Sequence, residues 1–188
     1  TEGATVLLEC GLVQGRREDE KTNEKPFPFS VSQLDAVVLS HAHLDHSGRL
    51  PKLVADGYSG PIYMTKPTCE LLEIMLKDVA SLQQRDAEWE NKRRRRAGKG
   101  EIEPIYTIED VGTVLTSWEG FSYGQCREIA DGIKVCFRDA GHILGSSIVE
   151  LTITEAGTEK KLVFTGDLGN SCAALLADPE IVETADVL

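Results

Sequence analysis

Apolar and polar positions follow two different periods along this chain, and each change of period marks an element. Val6, Leu7 and Leu8 make a continuous apolar run within Thr5 to Cys10, which predicts a buried strand closed by Gly11. A polar, charged loop runs from Gln14 to Lys25, and Pro26 and Pro28 make the next stretch extended. Ala36 to Leu39 is short and apolar with β-branched residues, which suits a central strand covered on both faces. Beyond it, Leu50, Leu53 and Val54 have helical spacing, with Pro51 in the first turn and Gly57 and Gly60 as stops. Pro61 to Met64 predicts another strand. Thr65 and Pro67 then supply the cap and first turn of a long helix with an apolar stripe at Leu71, Leu72, Met75, Leu76, Val79 and Leu82. A stripe at i, i+3 and i+4 reads as core packing.

That helix runs out into Lys92-Arg93-Arg94-Arg95-Arg96, followed by Gly98 and Gly100. Thr107 and Asp110, spaced as in a capping box, predict a second, shorter helix. From Ile133 the chain turns to β structure: Ile133 to Phe137, Ser147 to Thr154 and Lys161 to Phe164, the last two as a hairpin around Ala156-Gly157. Helices alternating with early strands, then several strands in a row, imply an α/β arrangement with helices covering sheets. Pattern leaves three-layer and four-layer versions open. A length of 188 residues predicts one domain over 1–188.

Composition narrows the class. An apolar share of 41% and a charged share of 27% belong to an ordinary globular protein rather than a disordered one. No apolar run reaches the roughly 18 residues of a spanning helix, so no membrane role is expected. The net charge of -11 opposes casual attachment to nucleic acid, so a polyanionic substrate needs a local basic site. Cys10, Cys69, Cys126, Cys136 and Cys172 are odd in number and scattered, without a C-x-x-C pair. That pattern predicts neither a disulfide framework nor a zinc-thiolate site, but thiols in a reducing, cytoplasmic setting. A chain that opens on Thr1 with a strand a few residues later reads as an excerpt from something longer.

All four histidines stand where a metal site would want them: His41, His43 and His46 within six residues, and His142 after Gly141. Imidazole nitrogen is a preferred zinc ligand, and carboxylates complete hydrolytic sites that keep one position open. His41 and His43, two apart on an extended segment, can point to one side. Asp45 and His46 open the next helix, turned toward a second metal position. Gly141-His142 and Gly166-Asp167 each follow a strand, and each glycine lets the backbone turn the next side chain inward. Taken singly, Asp45 also suits a helix N-cap and Asp167 a structural turn.

At these residues the chain resembles the metallo-β-lactamase superfamily, whose signature is H-x-H-x-D-H with a later Gly-His and Gly-Asp. The text from Asp35 through His41-Ala42-His43-Leu44-Asp45-His46 to Pro51 is similar to the β-CASP branch of RNA-processing nucleases, as are Asp139 to Ser146 and Phe164 to Gly169. The resemblance runs from about Val6 to Pro179. It implies a four-layer αββα sandwich, here truncated at the C-terminus, with two zinc ions at the sheet edge. His41, His43 and His142 would hold the first metal, Asp45 and His46 the second, with Asp167 bridging; Asp45, His46 and Asp167 would carry the catalysis. Water activated between metals roughly 3.5 to 4 Å apart would attack the phosphorus of an RNA phosphodiester.

The sequence departs from that family in two places. Leu8-Glu9-Cys10-Gly11 has a glutamate where the family strand ends in an aspartate. The family's cap domain and its later histidines have no counterpart up to Leu188, so the second zinc site is expected to be incomplete and the chain to be a weakly active N-terminal part of a longer nuclease. RNA is the expected partner, with a basic contact at Arg93, Arg94, Arg95 and Arg96; self-association is open. Two other functions stay in play: hydrolysis of a thioester, lactone or other small carbonyl substrate on the same fold, and a non-catalytic metal-binding subunit.

Overall fold

A computed structural model describes residue 1 and residues 3–188. The first sheet holds β1 (Val6–Leu8), β2 (Ala36–Val38), β3 (Ile62–Thr65) and β4 (Trp118–Phe121), all parallel and in that order. The second holds β5 (Cys126–Ala130), β6 (Ile133–Asp139), β7 (Ser147–Glu155) and β8 (Thr158–Phe164), all antiparallel neighbours. Parallel strands need crossovers. These carry α1 (Arg17–Glu20), α2 (Leu44–Ser47), α3 (Leu50–Ala55), α4 (Lys66–Arg96) and α5 (Ile108–Ser117).

Two cores follow from the faces of the first sheet. Val37, Ile62 and Met64 face the helices and pack with Leu50, Leu53, Leu72, Leu76, Val111 and Val114. Ala36, Val38 and Tyr63 face the second sheet and meet Val135, Phe137, Val149 and Leu151. Both faces of β2 are therefore sealed, which is why its three residues are all apolar. Three of the expected layers, α, β and β, lie within the described residues. The outer face of the second sheet carries no helix among them. There Glu150 is buried between Arg138 and Lys161, and the last segment crosses with Val182 packed down and Val187 bridged to Leu162.

Several elements differ from expectation. The stretch from Gln14 to Lys25 is not all loop: it forms α1 and a 3₁₀ turn at Lys21–Glu24, because Asn23 accepts from Val13 N (2.8 Å) and donates to Val13 O (2.9 Å). The later run of strands begins at Trp118 rather than Ile133. β4 escapes pattern reading because it passes under the first turn of α4 at Gly120, where a Cβ would meet Cys69 Sγ at 2.9 Å. Leu82 is exposed, since the buried row of α4 is Leu72, Leu76, Ala80 and Ala87. The expectation of unpaired thiols fails at one place: Cys126 and Cys136 form a disulfide. They stand directly opposite each other on β5 and β6, a register that the hairpin and its bulge decide and that spacing does not reveal. Cys10, Cys69 and Cys172 are free thiols, as expected. The capping box of α5 and the turn at Ala156-Gly157 form as expected, both turn residues having positive φ.

Candidate metal centre

The centre sits where β1, β2, β6 and β8 end. β2 delivers Ser40, His41 and His43 along an extended segment, and α2 starts at once with His43 at its N-cap position. Asp45 therefore does not cap this helix; it stands in its first turn, more than half exposed. From the second sheet come the loop after β6 with His142 and the loop after β8 with Asp167. Gly141 (φ 62°) and Gly166 (φ 52°) turn those loops inward, in a left-handed conformation that a side chain disfavours. Gly166 is also confined sterically, because a Cβ there would lie 2.6 Å from Ser40 Oγ.

Six side chains converge. His43 Nδ1 lies 3.0 Å from His41 Nε2 and 3.3 Å from His142 Nε2. Asp167 Oδ2 stands 3.5 Å from His142 Nε2 and 3.9 Å from His41 Nε2. Four donors at about 2.0 to 2.1 Å around one tetrahedral ion are separated by about 3.3 Å, so this set fits a single first-row divalent metal. The other oxygen, Asp167 Oδ1, is 3.4 Å from His46 Nε2, and His46 Nε2 is 3.8 Å from Asp45 Oδ2. Asp167 thus presents one oxygen to each of two donor groups.

Glu9 has a different task from these six. Its Oε2 is 2.8 Å from His46 Nδ1, a hydrogen-bond distance shorter than the separation of two ligands on one ion. Its Oε1 accepts from Ser40 N at 2.6 Å. Glu9 therefore fixes the His46 ring with Nε2 facing the centre, and it does so from a left-handed backbone (φ 65°), a conformation costing about 1 to 2 kcal/mol for a non-glycine residue. Ser40 Oγ holds His41 Nδ1 in the same way at 2.9 Å.

These contacts separate the protonation behaviour of two neighbouring rings. Burial, with the adjacent imidazoles, pushes His41 down to about 4, so it stays neutral and able to accept a metal near neutral pH. The hydrogen bond that His46 Nδ1 donates to the Glu9 carboxylate raises His46 above its ordinary value.

Residue typing missed the clamp on the His142 loop. Thr65 Oγ1 donates to Gly145 O (2.7 Å) and Thr68 Oγ1 to the same carbonyl (2.9 Å), across 80 and 77 residues of sequence. Ser146 Oγ accepts from His142 N (3.0 Å) and Ile143 N (3.1 Å), and Tyr123 donates to Ser146 O (2.9 Å). Thr65 is legible as the cap of α4, which it also is, through the bond from Thr68 N. Its second bond is visible only when the sheets are packed. Thr68→Val keeps the shape of this fully buried side chain and removes its hydroxyl. It is expected to weaken metal binding about tenfold, with recovery in Thr68→Ser, as read by competition with a chromogenic chelator. Equal affinity in Thr68→Val would show that the clamp does not act on the ligand.

The metallo-beta-lactamase superfamily domain matches residues 1–184. A ribonuclease of Thermus thermophilus is 37% identical over 186 residues, which are 99% of this chain and 37% of that protein. Transcription termination factor FttA of Methanocaldococcus jannaschii is 34% identical over 182 residues, 94% of this chain and 25% of that protein. The chain thus spans about a third or a quarter of the curated relatives it matches. Among solved structures, a metallo-beta-lactamase of Cronobacter sakazakii superposes with a TM-score of 0.52 at 18% identity, covering 93% of this chain and 53% of that one. No helix of the described residues is long and apolar enough to cross a membrane.

Proposed function

The chain belongs to the metallo-β-lactamase superfamily, and from that premise we propose that it is the metal-binding part of a zinc-dependent hydrolase of the β-CASP type that cleaves RNA phosphodiester bonds in the cytoplasm. The observation that carries the reading is Asp167, with one oxygen facing His41 and His142 and the other facing His46. His41, His43, His142 and Asp167 would hold a first zinc, and Asp45, His46 and Asp167 a second. Bound there, the metal pair supplies a nucleophile at neutral pH and neutralises charge on the phosphoryl oxygens. The chain's own residues set up that chemistry. Ser40 and Glu9 keep the ring nitrogens of His41 and His46 aimed inward, and half-exposed Asp45 and Asp167 leave the centre open to substrate on one side. The relatives named as a ribonuclease and a termination factor support RNA as the substrate.

With Asp45, His46 and Asp167 the second position would have three protein ligands against four for the first, so one metal is expected to bind tightly and the other weakly. Within the basic tract Arg93 to Arg96, at the far end of α4, Arg96 forms no ion pair among the described residues and offers an RNA contact. The test is hydrolysis of an end-labelled single-stranded RNA by the zinc-loaded chain, beside a thioester and a lactone. RNA fragments that disappear with a chelator, and fall at least about 100-fold in Asp167→Asn, support the reading. Turnover of the thioester or lactone without RNA cleavage would move the chain to carbonyl chemistry. Metal binding with no turnover of any of the three would make it a non-catalytic subunit.

A further inference from the structure

The buried row of α4, Leu72, Leu76, Ala80 and Ala87, fixes which side of this helix faces the protein. At 100° per residue, Arg85, Trp89, Lys92 and Arg96 lie about 180° around from that row, at intervals of four, three and four. All four are exposed, and Trp89 is 65% exposed although it is the most apolar surface in this part of the chain. The four arginines of the basic tract are not equivalent. Arg93 and Arg94 line a cleft shared with Glu18, Glu20, Glu24 and Asp86; Arg93 is paired with Glu90 and Arg94 donates to Gly100 O. Arg95 is paired with Glu101. Among the described residues Lys92 and Arg96 form no ion pair.

We propose that this outer face of α4, Arg85, Trp89, Lys92 and Arg96, is a docking surface for single-stranded RNA, an inference that rests on RNA being the substrate. Charge complementarity selects the occupant. A chain with a net charge of -11 repels a polyanion over most of its surface, and this stripe sets three cations without an ion pair among the described residues along one helix face. The aromatic ring supplies what cations cannot. A base stacks on an exposed indole without regard to sequence, and Arg93, 5.8 Å over the Trp89 ring, steadies it. Trp89 borders a cavity with Asp86, Glu90 and Glu103 on one edge, and that acidic edge, like the cleft lined by Arg93 and Arg94, is unsuited to phosphates, so the strand follows the side that carries Arg85, Lys92 and Arg96. The stripe belongs to a 31-residue helix whose first turn clamps the His142 loop, which joins the RNA face to the metal centre through one rigid element.

The experiment is fluorescence anisotropy of a labelled 20-nucleotide single-stranded RNA with the zinc-loaded chain, over a series of KCl concentrations. The comparison is among wild type, Trp89→Ala, Trp89→Phe and the Lys92→Glu/Arg96→Glu double variant. Trp89→Ala is expected to weaken binding about tenfold and Trp89→Phe to retain most of it. The double variant is expected to weaken binding and to flatten the log-log salt dependence by about 1.4, at roughly 0.7 for each phosphate that is no longer neutralised. If the stripe variants bind with wild-type affinity and salt dependence, the surface is wrong, whatever the cleavage assay shows. Intact stripe-dependent binding with no cleavage overturns the nuclease reading and leaves the surface standing. A wild-type chain that binds no RNA, or whose stripe binds an acidic protein instead, overturns the proposal.

Discussion

His43→Ala is expected to empty the first metal position while leaving the fold in place. The imidazole is the hub of the donor set, with Nδ1 3.0 Å from His41 Nε2 and 3.3 Å from His142 Nε2. Its removal leaves three donors around a gap. Replacing a residue that only orients a ligand typically costs 10- to 100-fold in metal affinity, so losing a ligand itself is expected to cost more than about 100-fold. The backbone has no reason to change. His43 occupies the N-cap of α2 without a side-chain cap bond, and its carbonyl, which accepts from Ser47 N and Ser47 Oγ, survives the substitution. Elemental analysis after dialysis checks the first part and chemical unfolding of metal-free protein the second. In the metal-free state the two proteins are expected to agree within about 0.5 kcal/mol. Unchanged metal content in His43→Ala would remove the proposed ligand set.

Gly169→Ala is expected to damage the centre from a residue that touches no metal. Gly169 N donates to Ala140 O (2.8 Å), which locks the Asp167 loop onto the His142 loop. A Cβ at Gly169 would lie 1.7 Å from Gly141 O and 2.8 Å from His142 N, both backbone atoms that move only if the two loops separate. Overpacking against backbone costs about 3 kcal/mol or more, and a displacement near 1 Å at a reacting centre costs about 100-fold in rate. Gly11 is in the same situation on the other side, where an added Cβ would lie 1.6 Å from Asp45 O. Gly112→Ala is the control: it lies within α5 with nothing near its Cβ, and it is expected to stabilise by about 0.5 to 1 kcal/mol. Denaturant midpoints of the two variants should therefore move in opposite directions, with metal affinity reduced in Gly169→Ala alone. A Gly169→Ala chain as stable and as metal-competent as wild type would contradict the close approach of the loops.

The six converging residues were legible because the chemistry demands particular side chains at short range. His41, His43, Asp45 and His46 share one strand end and one helical turn, and Gly141 and Gly166 announce the bends that bring in His142 and Asp167. Helix caps, apolar periods and the hairpin turn were legible for the same reason, since backbone preference and the face of an element are decided within a few residues. The sequence by itself therefore determined the donor types, most of the elements and the class of fold. Only the tertiary structure decided that Glu9 reaches His46 across 37 residues, that Thr65 and Thr68 at the start of α4 hold the Gly145 carbonyl, that Cys126 faces Cys136, and that the tract ending in Arg96 presents its cations to two unlike surroundings. Each of these depends on how two separately specified elements pack. The free energy that sets such a contact comes from burying their faces together, and neither segment records it alone.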